Sequence, residues 1–164
     1  MSSNTLVLAR DFDLPRAIVW DAFVDADLVE GWLAVAYVDA REGGEYRLEW
    51  QGNPLGPTTG VITVFEPFDR LVIETDNAGI LDFGFVPLSG GTRGSATTVT
   101  LALTVATERR LLASTMANWR SNFDQLEGLL RGHPVDWDTW QQDRGAIWAT
   151  YLHEAAAHEA ADGA

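Results

Sequence analysis

Read along the chain, the spacing of apolar residues changes period several times. Residues 5–10 alternate, with Leu6 and Leu8 on one face and Val7 and Ala9 on the other, which is the period-two signature of a strand. Pro15 suits the first turn of a helix, where its missing N–H costs nothing. Ile18, Val19, Ala22 and Phe23 then give the three- and four-residue steps of one buried helical face. Asp25 is placed to cap a second short helix that ends near Gly31. Trp20 and Trp32 are the large apolar neighbours of this pair.

The period then returns to two. Residues 34–40 read as a strand, 41–44 as a turn in which Gly43-Gly44 supplies the positive φ of a tight hairpin. Residues 45–51 alternate clearly, Tyr46, Leu48 and Trp50 against Arg47 and Glu49. Residues 52–60 are a loop by composition. Three more strands follow, over 60–66, 70–75 and 80–88, broken by Pro67 and by Asn77-Ala78-Gly79. A Gly-rich loop at 89–96 leads to a last strand over 97–105, rich in the β-branched residues that strands favour.

A long helix comes next. Leu112, Thr115, Met116, Trp119, Phe123, Leu126 and Leu130 form one continuous apolar stripe, which Gly132, His133 and Pro134 end. From Asp136 a further helix is predicted, with Asp138 and Gln141 at capping-box spacing and with Trp137, Trp140, Trp148, Tyr151, Leu152 and Ala155 roughly on one face. Such a surface does not stay exposed; it folds back on its own domain or pairs with a second copy, and intrachain packing is the slightly favoured reading. The order predicts an α+β fold: an antiparallel meander of about six or seven strands, curved by its twist, with the long helix across the concave face.

Composition narrows the chemistry. The chain has 164 residues and 46% hydrophobic content, enough for one sizeable core. It has no cysteine, which excludes disulfides, thiolate metal sites and cysteine nucleophiles. Its net charge is −13, and all eleven cations are Arg. A nucleic acid or an anionic membrane surface is therefore not an expected partner, and the absence of Lys removes Schiff-base and P-loop chemistry. Neither a signal peptide nor a membrane span is read from the sequence, and the expected compartment is the cytoplasm.

Pro15, Val19-Trp20, the polar break at Asp25–Asp27 and Trp32 stand in an order that resembles the opening of the START-like (SRPBCC) superfamily, and more closely the bacterial homologues of the activator of the heat-shock protein 90 ATPase. Gly43-Gly44 before Tyr46 and Leu48, then Gly60, Val61, Glu66-Pro67 and Arg70-Leu71-Val72, continue the resemblance, which closes on Trp119, Leu126, Leu129 and Leu130. It covers residues 5 to about 131. It departs at Gly90-Gly91-Thr92, where Gly94 is added, and the tail from 134 lies outside it. The resemblance implies a helix-grip domain over 1–133, a C-terminal helical extension over 134–164, and an internal cavity; members bind apolar ligands, cyclise polyketides or act as co-chaperones, so stress response enters as a context. Fold alone does not choose among these.

The cavity candidates are Trp32, Tyr46, Leu48, Trp50, Phe83, Phe85, Met116, Trp119 and Phe123, whose apolar and aromatic walls suit a small apolar ligand. The same residues would equally make a filled core. Asp82 and Glu74 would be general acids or bases only if they faced inward; alternation places Asp82 opposite Leu81, Phe83 and Phe85, and Glu74 with Val72. Arg47 and Arg120 have the geometry to clamp a carboxylate, but surface ion pairs are the simpler role. His153 and His158 are five apart, which turns them about 140° from each other on a helix, so no zincin-type metal site is expected. Ser89, Ser95, Ser114 and Ser121 lack a histidine partner. No catalytic residue, metal or cofactor is expected.

The expected function is non-enzymatic binding of a small hydrophobic or amphipathic molecule between sheet and long helix. A polyketide aromatase/cyclase, and a co-chaperone working through its outer surface, are the alternatives. A homodimer through the C-terminal helix is the alternative to intrachain packing of the tail.

Overall fold

The computed structural model describes residues 3–50, 56–89, 95–106, 112–140, 146–147 and 149–154. Strand β1 (Ser3–Phe12) is followed by helices α1 (Arg16–Val24) and α2 (Ala26–Glu30), then by strands β2 (Val35–Val38), β3 (Glu45–Glu49), β4 (Thr58–Glu66), β5 (Arg70–Thr75), β6 (Ile80–Ser89) and β7 (Ser95–Ala106), and by helix α3 (Leu112–Leu130). The strands make one antiparallel sheet in the order β1-β7-β6-β5-β4-β3-β2. Strands β2 to β7 are thus a meander, and β1 closes beside the last of them. The fold is the expected α+β helix-grip.

Local chemistry sets these elements. Gly43 has φ 81°, and a Cβ on Gly44 would come within 1.9 Å of the Asp39 carbonyl oxygen, so this hairpin admits glycine alone at the second position. Asp25 accepts a hydrogen bond from the Asp27 N–H at 3.0 Å and starts α2. In β4 the register slips between Ile62 and Val64. Ile62 pairs with Ile73, but Phe65 pairs with Leu71, so one extra residue turns Phe65 to the same face as Ile62. Without this bulge, strict alternation would have put Phe65 outside.

The inner face of the sheet carries Tyr46, Leu48, Ile62, Leu71, Ile73, Leu81, Phe83, Phe85, Val99, Leu101 and Leu103, all buried. Helix α1 lies against them through Val19, Trp20, Ala22 and Phe23. Helix α3 covers the β1–β7 end through Trp119, Phe123 and Leu126 of the predicted stripe. A second buried line, Ala113, Ala117 and Ser121, runs along the opposite side of α3. No apolar stripe announced it, because these residues are small. In the tail, Asp136 rather than Asp138 makes the local turn, its side chain accepting from the Asp138 N–H at 3.0 Å. Gln141, Trp148, Ala155 and His158, and the loop at 90–94, lie outside the described residues. The helix expected from Asp136 does not begin there, since residues 137–139 are turn and bend, but residues 149–154 are helical.

Candidate functional site

The end of α1 explains two of the nine candidate residues. A helix leaves its last carbonyls without intrahelical partners. Here the Trp32 indole Nε1–H donates to the Ala22 carbonyl at 2.7 Å, and the Tyr46 hydroxyl donates to the Phe23 carbonyl at 2.6 Å. Both rings are essentially without exposure. Their polar atoms are therefore engaged as caps of α1 and are not free to orient a ligand. Burial pushes the Tyr46 hydroxyl well above the usual phenol range, so it stays protonated.

Around this plug the rings pack edge to face, except that Phe23 and Trp32 are tilted. Phe23 meets Phe83, Trp32 and Phe85 at centroid distances of 4.9, 5.0 and 5.0 Å, and Trp20 meets Phe85 at 5.2 Å and Phe65 at 5.4 Å. Trp119 bridges Phe83 and Phe123 at 5.9 and 6.4 Å. These are favourable aromatic geometries in a close-packed interior. Trp50 stands apart. It follows the end of β3, and its Nε1–H donates to the Thr58 hydroxyl at 2.7 Å, which in turn donates to Asn77 Oδ1 at 2.5 Å.

The packing loosens on the other side of Trp119. Leu6 and Leu8 of β1, Leu101 and Leu103 of β7, and Thr115, Met116 and Trp119 of α3 outline a gap of about 10 Å³. That is room for about one water molecule, and its walls are apolar apart from Thr115. Leu6, Leu8, Thr115 and Met116 are only half-buried, whereas Trp32, Leu48 and Phe83 are fully enclosed. Of the nine candidates, then, Met116 and Trp119 border the gap. Trp32, Tyr46, Leu48, Phe83, Phe85 and Phe123 form the packed plug beside it, and Trp50 lies at a separate corner.

The family model described as activator of Hsp90 ATPase homolog 1-like protein matches residues 13–131, nearly three-quarters of the chain. The chain belongs to this family. Among solved structures of similar fold, protein MLL2253 from Mesorhizobium loti is 19% identical, with a TM-score of 0.64 over 80% of this chain and 100% of its own. CalU16 from Micromonospora echinospora is 26% identical, with a TM-score of 0.60 over 92% of this chain and 89% of its own. DynU16, of the dynemicin biosynthetic locus, is 19% identical, with a TM-score of 0.62 over 79% of this chain and 48% of its own. No functionally curated protein matches the chain in sequence. The match to CalU16 is long enough that it must run into the tail beyond residue 133, past the part that the family model covers.

In this member of the activator-homologue family the candidate charges lie on the outside. Asp82 receives a two-pronged contact from Arg70, Nε at 3.1 Å and Nη2 at 2.8 Å, on the outer face of the sheet. Asp82 holds the Arg70 guanidinium further up in pKa, through that hydrogen bond and its charge. Glu74 is exposed. Arg47 pairs with Glu45 at 3.1 Å and lies 5.0 Å from the Tyr37 ring centroid. Arg120 pairs with Glu154 at 3.1 Å and stacks 4.2 Å from the Tyr151 ring centroid. Among the described residues no carboxylate is buried, and no group of three His, Asp or Glu is close enough together to hold a metal. None of the described helices is long and apolar enough to cross a membrane.

Sequence reasoning missed Gln125. It is buried in the polar face of α3, its Nε2 donating to the Trp32 carbonyl at 2.7 Å while its Oε1 accepts from the Trp140 indole at 2.6 Å. A glutamine next to an apolar stripe carries no signal until its two partners, 93 and 15 residues away in the chain, are known.

Proposed function

We propose that this protein binds a small hydrophobic or amphipathic molecule, and that the molecule enters between α3 and the β1–β7 end of the sheet. The observation that carries the reading is the gap under Met116: it is walled by apolar side chains on both the strand and the helix sides, and Leu6, Leu8 and Met116 at its edge are half-buried. Met is unbranched and flexible, so its side chain can swing aside and enlarge the space at little cost. Burial of the ligand's apolar surface supplies the affinity. Membership of the activator-homologue family supports this reading.

The cyclase reading needs an acid, a base or an Arg inside. Asp82, Glu74 and Arg47 point away from the interior, and the Tyr46 hydroxyl is committed to the Phe23 carbonyl. Nothing among the described residues favours it over simple binding.

The test uses the uncharged fluorophore N-phenyl-1-naphthylamine. The expected result is a saturable rise in its fluorescence at one molecule per chain. The rise falls at least tenfold in affinity in Met116→Trp, which fills the gap, and is kept in Val7→Trp on the exposed outer face. Fluorescence that does not saturate, or that is the same in Met116→Trp, contradicts the proposal.

A further inference from the structure

The tail is fastened to the grip at both of its described ends. Near residue 135 the backbone N–H of Val135 donates to the Gly31 carbonyl at 2.8 Å, and the Trp137 indole donates to the Glu30 carbonyl at 2.7 Å, closing the C-terminus of α2. Trp140 donates to Gln125, which is itself bonded to the Trp32 backbone. Further on, the Tyr151 hydroxyl donates to the Asp124 carboxylate, and Glu154 accepts from Arg120, whose guanidinium stacks on the Tyr151 ring.

Asp124 is the junction. Its other carboxylate oxygen is paired with Arg10 of β1. One carboxylate thus ties three pieces together: the edge strand, α3 and the tail. Arg10 shares the face of β1 that carries Leu6 and Leu8, which border the gap, and Met116 lies about two turns before Asp124 on α3. Both charged groups are only about one-fifth exposed, 23% for Arg10 and 20% for Asp124, so the pair is poorly screened. Burial, and then the hydrogen bond to Asp124, raise the Tyr151 hydroxyl above its ordinary pKa, so it remains a donor across the neutral range. The small buried residues Ala117 and Ser121 share this side of α3 with Arg120 and Asp124, which lets the tail approach closely.

We propose that residues 134–140 and 149–154 of the tail act as a strap that holds α3 shut against β1 through the Arg10–Asp124–Tyr151 junction, so that its release opens the gap beneath Met116. The strap governs how fast a ligand enters and leaves. This role in ligand exchange rests on the binding reading above; the holding of α3 does not. That the similarity to CalU16 extends into the tail is in keeping with a strap built as part of the fold rather than appended to it.

Two measurements on the full chain test the strap, using Tyr151→Phe and Asp124→Asn, with His153→Ala, an exposed tail residue, as the control. In amide hydrogen exchange, both variants are expected to speed exchange at least threefold in residues 112–124 and 149–154, with β5 and β6 unchanged and His153→Ala like the parent. In stopped-flow mixing with N-phenyl-1-naphthylamine, association and dissociation are expected to rise together at least threefold, with Kd within twofold. Exchange unchanged in α3, or raised equally in β5 and β6 as for a general loss of stability, overturns the strap. Faster exchange in α3 with probe rates unchanged overturns its gating of the ligand. If the probe binds neither parent nor variants, the binding reading fails, and the exchange result alone decides whether the tail holds α3.

Discussion

Tyr46 ties together a strand, a helix end and the centre of the protein with one hydroxyl. Replacing it by Phe keeps the ring but leaves the Phe23 carbonyl without its donor inside the core. A buried polar group stripped of its partner costs about 1–3 kcal/mol, so urea denaturation of Tyr46→Phe is expected to show a loss of that size. The pH dependence follows from the same bond. The folded chain holds the phenol proton more tightly than the unfolded chain. The stabilisation is therefore complete below the ordinary phenol value of about 10 and declines as pH rises above it, by about 1.4 kcal/mol per pH unit for one proton. Tyr151 is raised too and adds to the same decline. The check is the difference between parent and Tyr46→Phe across pH 9–11: the parent loses stability more steeply. Equal slopes would contradict it. That Tyr46 and Leu48 face inward was legible in the alternation of their strand. That the hydroxyl closes a helix 23 residues earlier was not, because alternation gives a face and no partner.

At the scale of elements, periodicity carried the reading where one face meets one layer. The meander, the two short helices and the sheet-facing stripe of α3 all follow it. It failed where a second layer intervenes. Ala113, Ala117 and Ser121 are buried on the side of α3 that faces away from the sheet, and small residues there give no hydrophobic signal. It also failed at the β4 bulge, where the inserted residue reverses the faces of everything after it. The bulge makes a sharp prediction. Deleting Thr63 restores regular pairing with Ile62 and Phe65 both still inward, so that variant is expected to fold with a loss of at most about 2 kcal/mol, the range of a moderate single change. Deleting Val72 from β5, whose register is regular against β6, throws Ile73 or Leu71 to the outer face and is expected to abolish cooperative unfolding. Calorimetry of the two deletions separates them, and equal damage would show that the slip in β4 does not set the face of Phe65.

Over the whole molecule, the acidity and the apolar interior are kept apart. Among the described residues no charged side chain is buried, and the buried polar side chains are Thr58, Thr97, Ser121 and Gln125. The family and its helix-grip architecture could be read from the opening string, the paired glycines and the closing helix. The place of the gap could not. The candidates drawn from the sequence were seven inward aromatic rings with Leu48 and Met116, and side chains large enough to line a cavity are also large enough to fill one. The structure separates the two roles by their neighbours: Trp32 and Tyr46 are spent on α1, while Met116 lies where α3 and β1 pack loosely. The chain has only two methionines, Met1 and Met116, so selective ¹³C-methyl labelling places one reporter at the gap and one at the terminus. Titration with N-phenyl-1-naphthylamine is predicted to shift the Met116 methyl resonance saturably and leave Met1 in place. A Met116 resonance that does not move while the probe is bound would contradict binding between α3 and the sheet.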